Sequence, residues 1–335
     1  MKPSLKKVSE QVIVITGASS GIGLATARRA AREGAKLVLA ARNVQALDEL
    51  VRELERSGCQ AIRVVADVGR REDVQSIAHA AIERFGGFDT WVNNAGVSIY
   101  GRLEEVPVED FKRLFDTNFW GVVHGSLAAL AHLKQRGGAL INVGSEVSDV
   151  AIPLQGMYSA SKHAVKGFTD ALRIELEEKG APVSVTLIRP TAIDTMFVEH
   201  AKNYMEVEPQ LPPPLYAPDV VAQAILEAAA YRHRDIYVGA NAKLSSLLAR
   251  FLPRGSDYYL RKSAFSSQRT RRPARTHDTS ALDAPGVGLH ERRGQEPTRH
   301  SSAYTRAATH PKTTAATMLG AGLVAASLWR VLRRG

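Results

Sequence analysis

Tyr158 and Lys162 stand four residues apart in the stretch MYSASKH, with only Ser159, Ala160 and Ser161 between them. In a helix, positions four apart share a face, so the ammonium would lie beside the phenol. A neighbouring cation favours the phenolate and lowers a tyrosine's pKa. A phenol tuned in that way can donate or accept a proton near neutral pH. A pair this short also arises by chance in ordinary helices, so its meaning depends on what surrounds it. A second stretch, VIVITGASSGIGLATARRA, joins an apolar run to a helical pattern through Gly17, Gly21 and Gly23. Such a turn lets the backbone approach a pyrophosphate at a helix N-terminus, where N–H groups and the dipole favour anions. In LVLAARN, Ala41 is followed by Arg42, with no acid. An acid there would bind a ribose 2′-hydroxyl, whereas a guanidinium suits a 2′-phosphate. The local chemistry therefore favours NADP (NADPH/NADP+) over NAD.

The elements expected to hold these groups alternate. Strand patterns cover residues 12–16, 37–41, 61–65, 90–93, 140–144, 183–189 and 236–238, and helical patterns such as 21–33, 44–57 and 71–85 lie between them. Alternation of this kind predicts parallel βαβ units, and nearly continuous apolar strands fit burial on both faces. The expected fold class is α/β, a doubly wound parallel sheet (a Rossmann fold) of about seven strands with helices on both faces.

The chain has 335 residues, 44% of them hydrophobic, and one cysteine, Cys59. A single cysteine excludes an internal disulfide framework and suits a reducing compartment. The N-terminus runs into VIVIT with no apolar signal region, so the expected location is cytoplasmic. The net charge is +10, but residues 1–260 hold 30 basic and 30 acidic residues, while residues 261–335 hold 14 and 4. The positive charge thus belongs to a tail. Three regions are expected: a catalytic domain over 1–260, a basic disordered linker over 261–312 rich in Ser, Thr, Arg and Pro, and an apolar helix with a basic end over 313–335. The last admits three readings: a membrane anchor, an interfacial helix or a helix docked on a partner. The histidines, among them His79, His124, His132, His163 and His200, show no metal-ligand spacing, and no metal is expected.

Taken together, the motifs resemble the short-chain dehydrogenases/reductases, and the resemblance covers residues 8 to about 250. TGASSGIG (16–23) is similar to that family's cofactor turn, ADV (66–68) to the segment that holds the adenine, and NNAG (93–96) to its fourth-strand motif. Asn118 in DTNFWG, Ser145 in INVGSEVS, YSASK (158–162) and RPTAIDT (189–195) follow in the family's order. The resemblance implies that Gly17, Ser19, Ser20, Gly21, Ile22, Gly23, Arg42, Asp67, Val68, Asn94, Ala95, Gly96, Tyr158, Lys162, Pro190, Ile193 and Thr195 bind the dinucleotide. It also implies a catalytic set of Asn118, Ser145, Tyr158 and Lys162. Ser145 would steady the carbonyl oxygen and Tyr158 would exchange its proton. Lys162 would bind the nicotinamide ribose and hold down the Tyr158 pKa, and Asn118 would position a water leading from Lys162 to solvent.

The implied activity is NADP(H)-dependent interconversion of a carbonyl and an alcohol, with a homodimer or homotetramer as the expected assembly. Two residues depart from the family pattern: Thr191 stands where Pro-Gly is common, and Glu146 follows Ser145 directly. Met196, Phe197, Tyr204, Met205, Leu211 and Leu215, in the loop after the sixth strand, are expected either to line an apolar pocket or to pack the loop onto the body. With the tail, they point towards a lipophilic substrate. A non-catalytic NADP-binding sensor or scaffold remains the alternative. Nucleic-acid binding through the Arg-rich tail is set aside, because aromatic residues are nearly absent there.

Overall fold

The computed structural model describes residues 4–274, 280–294, 297–310 and 314. Its centre is a seven-stranded sheet: β1 (Val12–Thr16), β2 (Lys36–Ala41), β3 (Ala61–Val65), β4 (Thr90–Asn93), β5 (Gly138–Val143), β6 (Val183–Pro190) and β7 (Asp235–Val238). All neighbours are parallel, in the spatial order β7-β6-β5-β4-β1-β2-β3. Register is set early, with Val14 opposite Val38 on one side and Trp91 on the other. After β3 the chain crosses to the far side of β1, so the order reverses between β1 and β4. Doubly wound sheets bind ligands at the carboxyl ends of strands flanking such a switch.

The flanking helices include α1 (Gly21–Arg32), α2 (Val44–Arg56), α3 (Arg71–Phe85), α4 (Val108–Phe115), α5 (Gly121–Arg136), α6 (Gly156–Glu178) and α7 (Pro218–Ala230). Side chains alternate across a strand, and β1 shows the consequence. Ile13 and Ile15 face a core layer shared with Leu24, Leu47, Leu50 and Val221 of α1, α2 and α7. Val12 and Val14 face the opposite layer, with Ile77, Leu133 and Leu176 of α3, α5 and α6. Each fully buried Leu or Ile in these layers contributes about 1.5–3 kcal/mol. Helix ends follow local chemistry: Asn43 caps α2 by accepting from Ala46 N at 2.9 Å, and Gly86 closes α3 with φ of 75°.

Beyond β7 the structure corrects the sequence expectation. Helix α8 (Ala240–Phe251) is followed by α9 (Pro253–Ser267), which runs across the expected domain boundary at residue 260. Residues expected in a disordered linker form further structure. Arg269–Pro273 pairs antiparallel with Val207–Pro209, Thr298–Arg299 pairs with Leu215–Tyr216, and a short helix α10 covers Ala303–Thr309. Composition misleads here because the segment's partners lie on the folded body rather than within itself. Arg292 meets Asp194 at 2.7 Å, Arg293 meets Glu199 at 2.7 Å and Arg272 meets Glu208 at 3.1 Å, while Ala281 and Leu282 are buried. The apolar helix expected at 313–335 lies outside the described residues, apart from Thr314. Among the described residues, no helix is long and apolar enough to cross a membrane, and no group of three or more His, Cys, Asp or Glu could hold a metal.

Candidate active site

Two cavities open at the carboxyl ends of the strands, one on each side of a shared wall. The first, of 180 Å³, is a cleft lined by Gly17, Ser19, Ser20, Gly21, Ile22, Arg42, Asp67, Val68, Asn94, Ala95, Gly96 and Thr195. The β1–α1 turn makes its floor, and its glycines are sterically required. At Gly17, φ is +66° and a Cβ would stand 2.8 Å from Ala95 Cα; at Gly23 it would stand 2.1 Å from Gly17 O. Asn94 ties the turn to the end of β4, donating from Nδ2 to Thr16 O at 2.9 Å and to Gly17 O at 3.3 Å. Asp67 is fixed by accepting from Gly69 N at 3.0 Å. A floor of close-packed main chain at a helix N-terminus suits a dinucleotide pyrophosphate, so these residues fit the cofactor that the motifs implied.

Gly23 lies beneath the turn rather than in the cleft. Pro190 and Ile193 line the second cavity instead, as does Tyr158. Lys162 is buried and lines neither cavity: its Nζ donates to Val143 O at 2.9 Å and lies 5.8 Å from the Tyr158 ring centroid. Asn118 sits in a wide helical turn, Asp116–Trp120, between α4 and α5, a distortion frequent at functional sites. Its Oδ1 accepts from Val97 N at 2.8 Å, and its Nδ2 donates to Val97 O at 2.9 Å and to Ser161 Oγ at 3.1 Å. A Cβ placed on Gly96 would lie 3.4 Å from Asn118 Oδ1 and 3.7 Å from Lys162 Nζ, so both polar atoms flank one point beside the cleft. Ser145 begins the turn Glu146–Ser148 and accepts from Val147 N at 3.3 Å.

The electrostatics differ from the sequence expectation. Burial raises the pKa of the Tyr158 phenol, against which a hydrogen bond with Ser145 acts, and nearby Glu146 raises it further. Burial also lowers Lys162 to about 8. Both groups are charged only at a desolvation cost, so here it is burial, not the ammonium, that dominates the phenol. Glu146 is likewise buried, which pushes its carboxyl up to about 7, while a hydrogen bond from Thr191 Oγ1 to its Oε2 at 3.0 Å opposes the shift. The two departures from the family pattern therefore touch each other.

The second cavity, of 450 Å³, is lined by Ser145, Glu146, Val147, Val150, Ile152, Tyr158, Thr191, Phe197, Leu211, Pro212, Leu244, Leu248 and Tyr259, among others. Ile22, Thr195 and Phe197 line both cavities. Of the loop residues expected around a pocket, Phe197 and Leu211 are here and Met196 lines the cleft. Tyr204 instead donates to Asp110, Met205 packs with Tyr100 and Leu154, and Leu215 is buried in a short strand. Their places are taken by α8 and α9, which roof the cavity and which no motif marked. Also unmarked were His200, Ala281, Pro285 and Gly286 on the cleft.

Residues 11–205 match the family described as short chain dehydrogenase. The chain is similar to the uncharacterized oxidoreductase YxnA of Bacillus subtilis, at 50% identity over 99% of this chain and 93% of that protein. Among solved structures, it is similar to a short chain dehydrogenase/reductase from Burkholderia phymatum in complex with NAD: 30% identity, TM-score 0.65, covering 79% of this chain and 98% of that one. It is also similar to an alcohol dehydrogenase from the archaeon Thermococcus sibiricus complexed with 5-hydroxy-NADP: 33% identity, TM-score 0.60, covering 68% and 95%.

Proposed function

The chain belongs to the short-chain dehydrogenase family and is an oxidoreductase, and from that premise we propose that it interconverts a lipophilic carbonyl and its alcohol with NADP(H). One observation carries this reading: Tyr158 and Ser145 stand on the wall of a largely apolar 450 Å³ cavity that meets the glycine-floored cleft at Ile22, Thr195 and Phe197. That volume suits a small organic ligand. The dinucleotide, when bound, supplies hydride chemistry; the chain's own residues do the rest. Ser145 Oγ and the Tyr158 hydroxyl converge on the oxygen of a carbonyl, where developing negative charge is steadied by donors held in a dry site. Tyr158 delivers the proton that makes the alcohol, or removes it in the reverse direction. A phenol of raised pKa keeps its proton until the alkoxide forms, so it acts as an acid in reduction.

Lys162, whose pKa burial lowers to about 8, lies 5.8 Å from the Tyr158 ring centroid and can exchange a proton beside the phenol. Asn118 fixes the Val97 backbone and Ser161, which keeps the face of α6 bearing Tyr158 and Lys162 in place. Arg42 favours the 2′-phosphate of NADP through charge-assisted hydrogen bonds. The resemblance to complexes holding NAD and 5-hydroxy-NADP supports a dinucleotide in the cleft and leaves the preference to Arg42. NADPH oxidation by purified protein across a panel of lipophilic ketones tests the proposal. Dinucleotide binding without turnover of any ketone, or of the matching alcohols with NADP+, would instead favour a sensor.

A further inference from the structure

Residues 280–294 lie outside the matched family segment, 11–205, yet they run along the outer edge of the dinucleotide cleft. Leu289 N donates to Ser19 O at 2.7 Å and Gly21 N donates to His290 O at 3.0 Å, lacing this segment to the glycine turn. Alongside, Asn43 Nδ2 donates to Gly286 O at 2.9 Å, and Arg42 Nη2 donates to the carbonyls of Ala281 and Ala284. Three ion pairs pin the segment at its far end: Glu291 to Arg28 at 2.8 Å, Arg292 to Asp194 at 2.7 Å and Arg293 to Glu199 at 2.7 Å.

The strap's carbonyls take one donor each from two cleft-lining residues, Gly21 N and Arg42 Nη2, while its side chains leave the cleft open. Ala281, Pro285 and Gly286 form one wall, the glycine turn, Asp67, Gly96 and Phe197 line much of the rest, and a 180 Å³ void remains with the strap seated. A segment evolved to plug the site would fill that void with side chains; this one presents a methyl, a proline ring and a glycine. Leu289 packs against the core instead. Both bonds from Arg42 leave through Nη2, so the strap orients the guanidinium while Nε and Nη1 take no part in those two bonds.

We propose that residues 280–294 are a further part of the dinucleotide site: a strap that closes over the adenosine and phosphate end, sets the aim of Arg42 and slows release of the bound dinucleotide. The proposal rests on the reading of the cleft as a dinucleotide site. Exchange of cofactor then requires the strap to lift, so release is governed by the contacts that hold it down.

Gly288 offers a minimal way to unseat the strap. A Cβ added there would stand 2.2 Å from Ala46 Cβ, and neither methyl can rotate away. Full-length wild type, Gly288→Ala and the double variant Gly288→Ala/Ala46→Gly are compared by NADPH fluorescence titration and by stopped-flow displacement of bound NADPH. Gly288→Ala is expected to release NADPH about ten-fold faster and to bind it correspondingly more weakly, because the contacts gating release are lost. The double variant, which removes the opposing methyl, is expected to return towards wild type. Glu291→Gln, which cuts only the partly exposed pair with Arg28, should shift release in the same direction by a smaller factor, and it keeps the test available should Gly288→Ala fold poorly. Unchanged release in both single variants, or tighter binding in either, overturns the proposal, tighter binding being the mark of a competitor. Wild-type protein that takes up neither NADPH nor NADH would overturn the cleft reading itself, a result distinct from failure of the strap.

Discussion

The glycine-floored cleft and the apolar cavity share a wall, yet they are built differently. The cleft draws on main chain at the glycine turn, the end of β4 and the strap, with small or polar side chains beside a few apolar ones such as Ile22, Met196 and Phe197. The cavity is mostly side chain, drawn from the turn after β5, the start of α6, the loop after β6 and the α8–α9 pair. Recognition by backbone fixes atoms within a fraction of an ångström and leaves no room for a Cβ at Gly17 or Gly23. Recognition by apolar surface asks only for volume and dryness, which many sequences supply. One half of the site is therefore rigid in its requirements and the other permissive.

Four substitutions separate the halves. Tyr158→Phe should cost the most: about 10²–10⁴-fold in turnover, the range for loss of a general acid, with NADPH affinity unchanged by fluorescence titration. A fall in binding equal to the fall in turnover would merge the two halves. Arg42→Ala acts on the cleft alone and should reduce the preference for NADPH over NADH by roughly ten-fold or more, since a hydrogen bond to a charged group is worth about 1.5–3 kcal/mol. Comparing dissociation constants of the two dinucleotides would show it, and an unchanged ratio would take the 2′-phosphate away from Arg42. Leu248→Asp places a carboxylate on the cavity roof. KM for an apolar ketone should rise about five-fold, less than full burial of a leucine would give, because Leu248 is 43% exposed, while NADPH affinity stays constant.

The smallest effect concerns Glu146. Burial lifts its carboxyl to about 7, so it is mainly neutral below that pH and mainly anionic above it. For a ketone that itself carries a carboxylate, KM should therefore rise a few-fold as pH passes upward through about 7. Glu146→Gln, neutral throughout, should flatten that profile. A rise of KM in the opposite direction would mean that the carboxyl does not face the substrate.

Much of the scaffold could be read directly from residue order. The seven strands appear within a residue or two of the expected bounds, because buried parallel strands need unbroken apolar runs and the helices between them need an apolar stripe. The glycine turn and the Tyr158–Lys162 spacing could also be read locally, whereas Asn118 and Ser145 were marked only through the family resemblance. The consequence of bringing Tyr158 and Lys162 together was not. Spacing suggested a cation lowering a phenol's pKa, whereas the folded site buries both and moves their affinities for protons in opposite directions.

The tail shows the same division from the other side. Its composition, rich in Arg, Ser and Pro, gives it no core of its own, and that much is a property of the sequence. Whether it stays loose depends on what the body presents to it. Asp194, Glu199 and Arg28 lie far away along the chain, and no local pattern reveals that they stand where residues 291–293 pass. Strand and helix order, the glycine turn and the shared helix face of Tyr158 and Lys162 follow from neighbours a few positions apart, so residue order carries them. The apolar cavity, the Glu146–Thr191 contact and the strap along the cleft exist only in the folded chain. Each joins segments 45 or more residues apart, and the energy of such a contact exists only once the chain between them has folded.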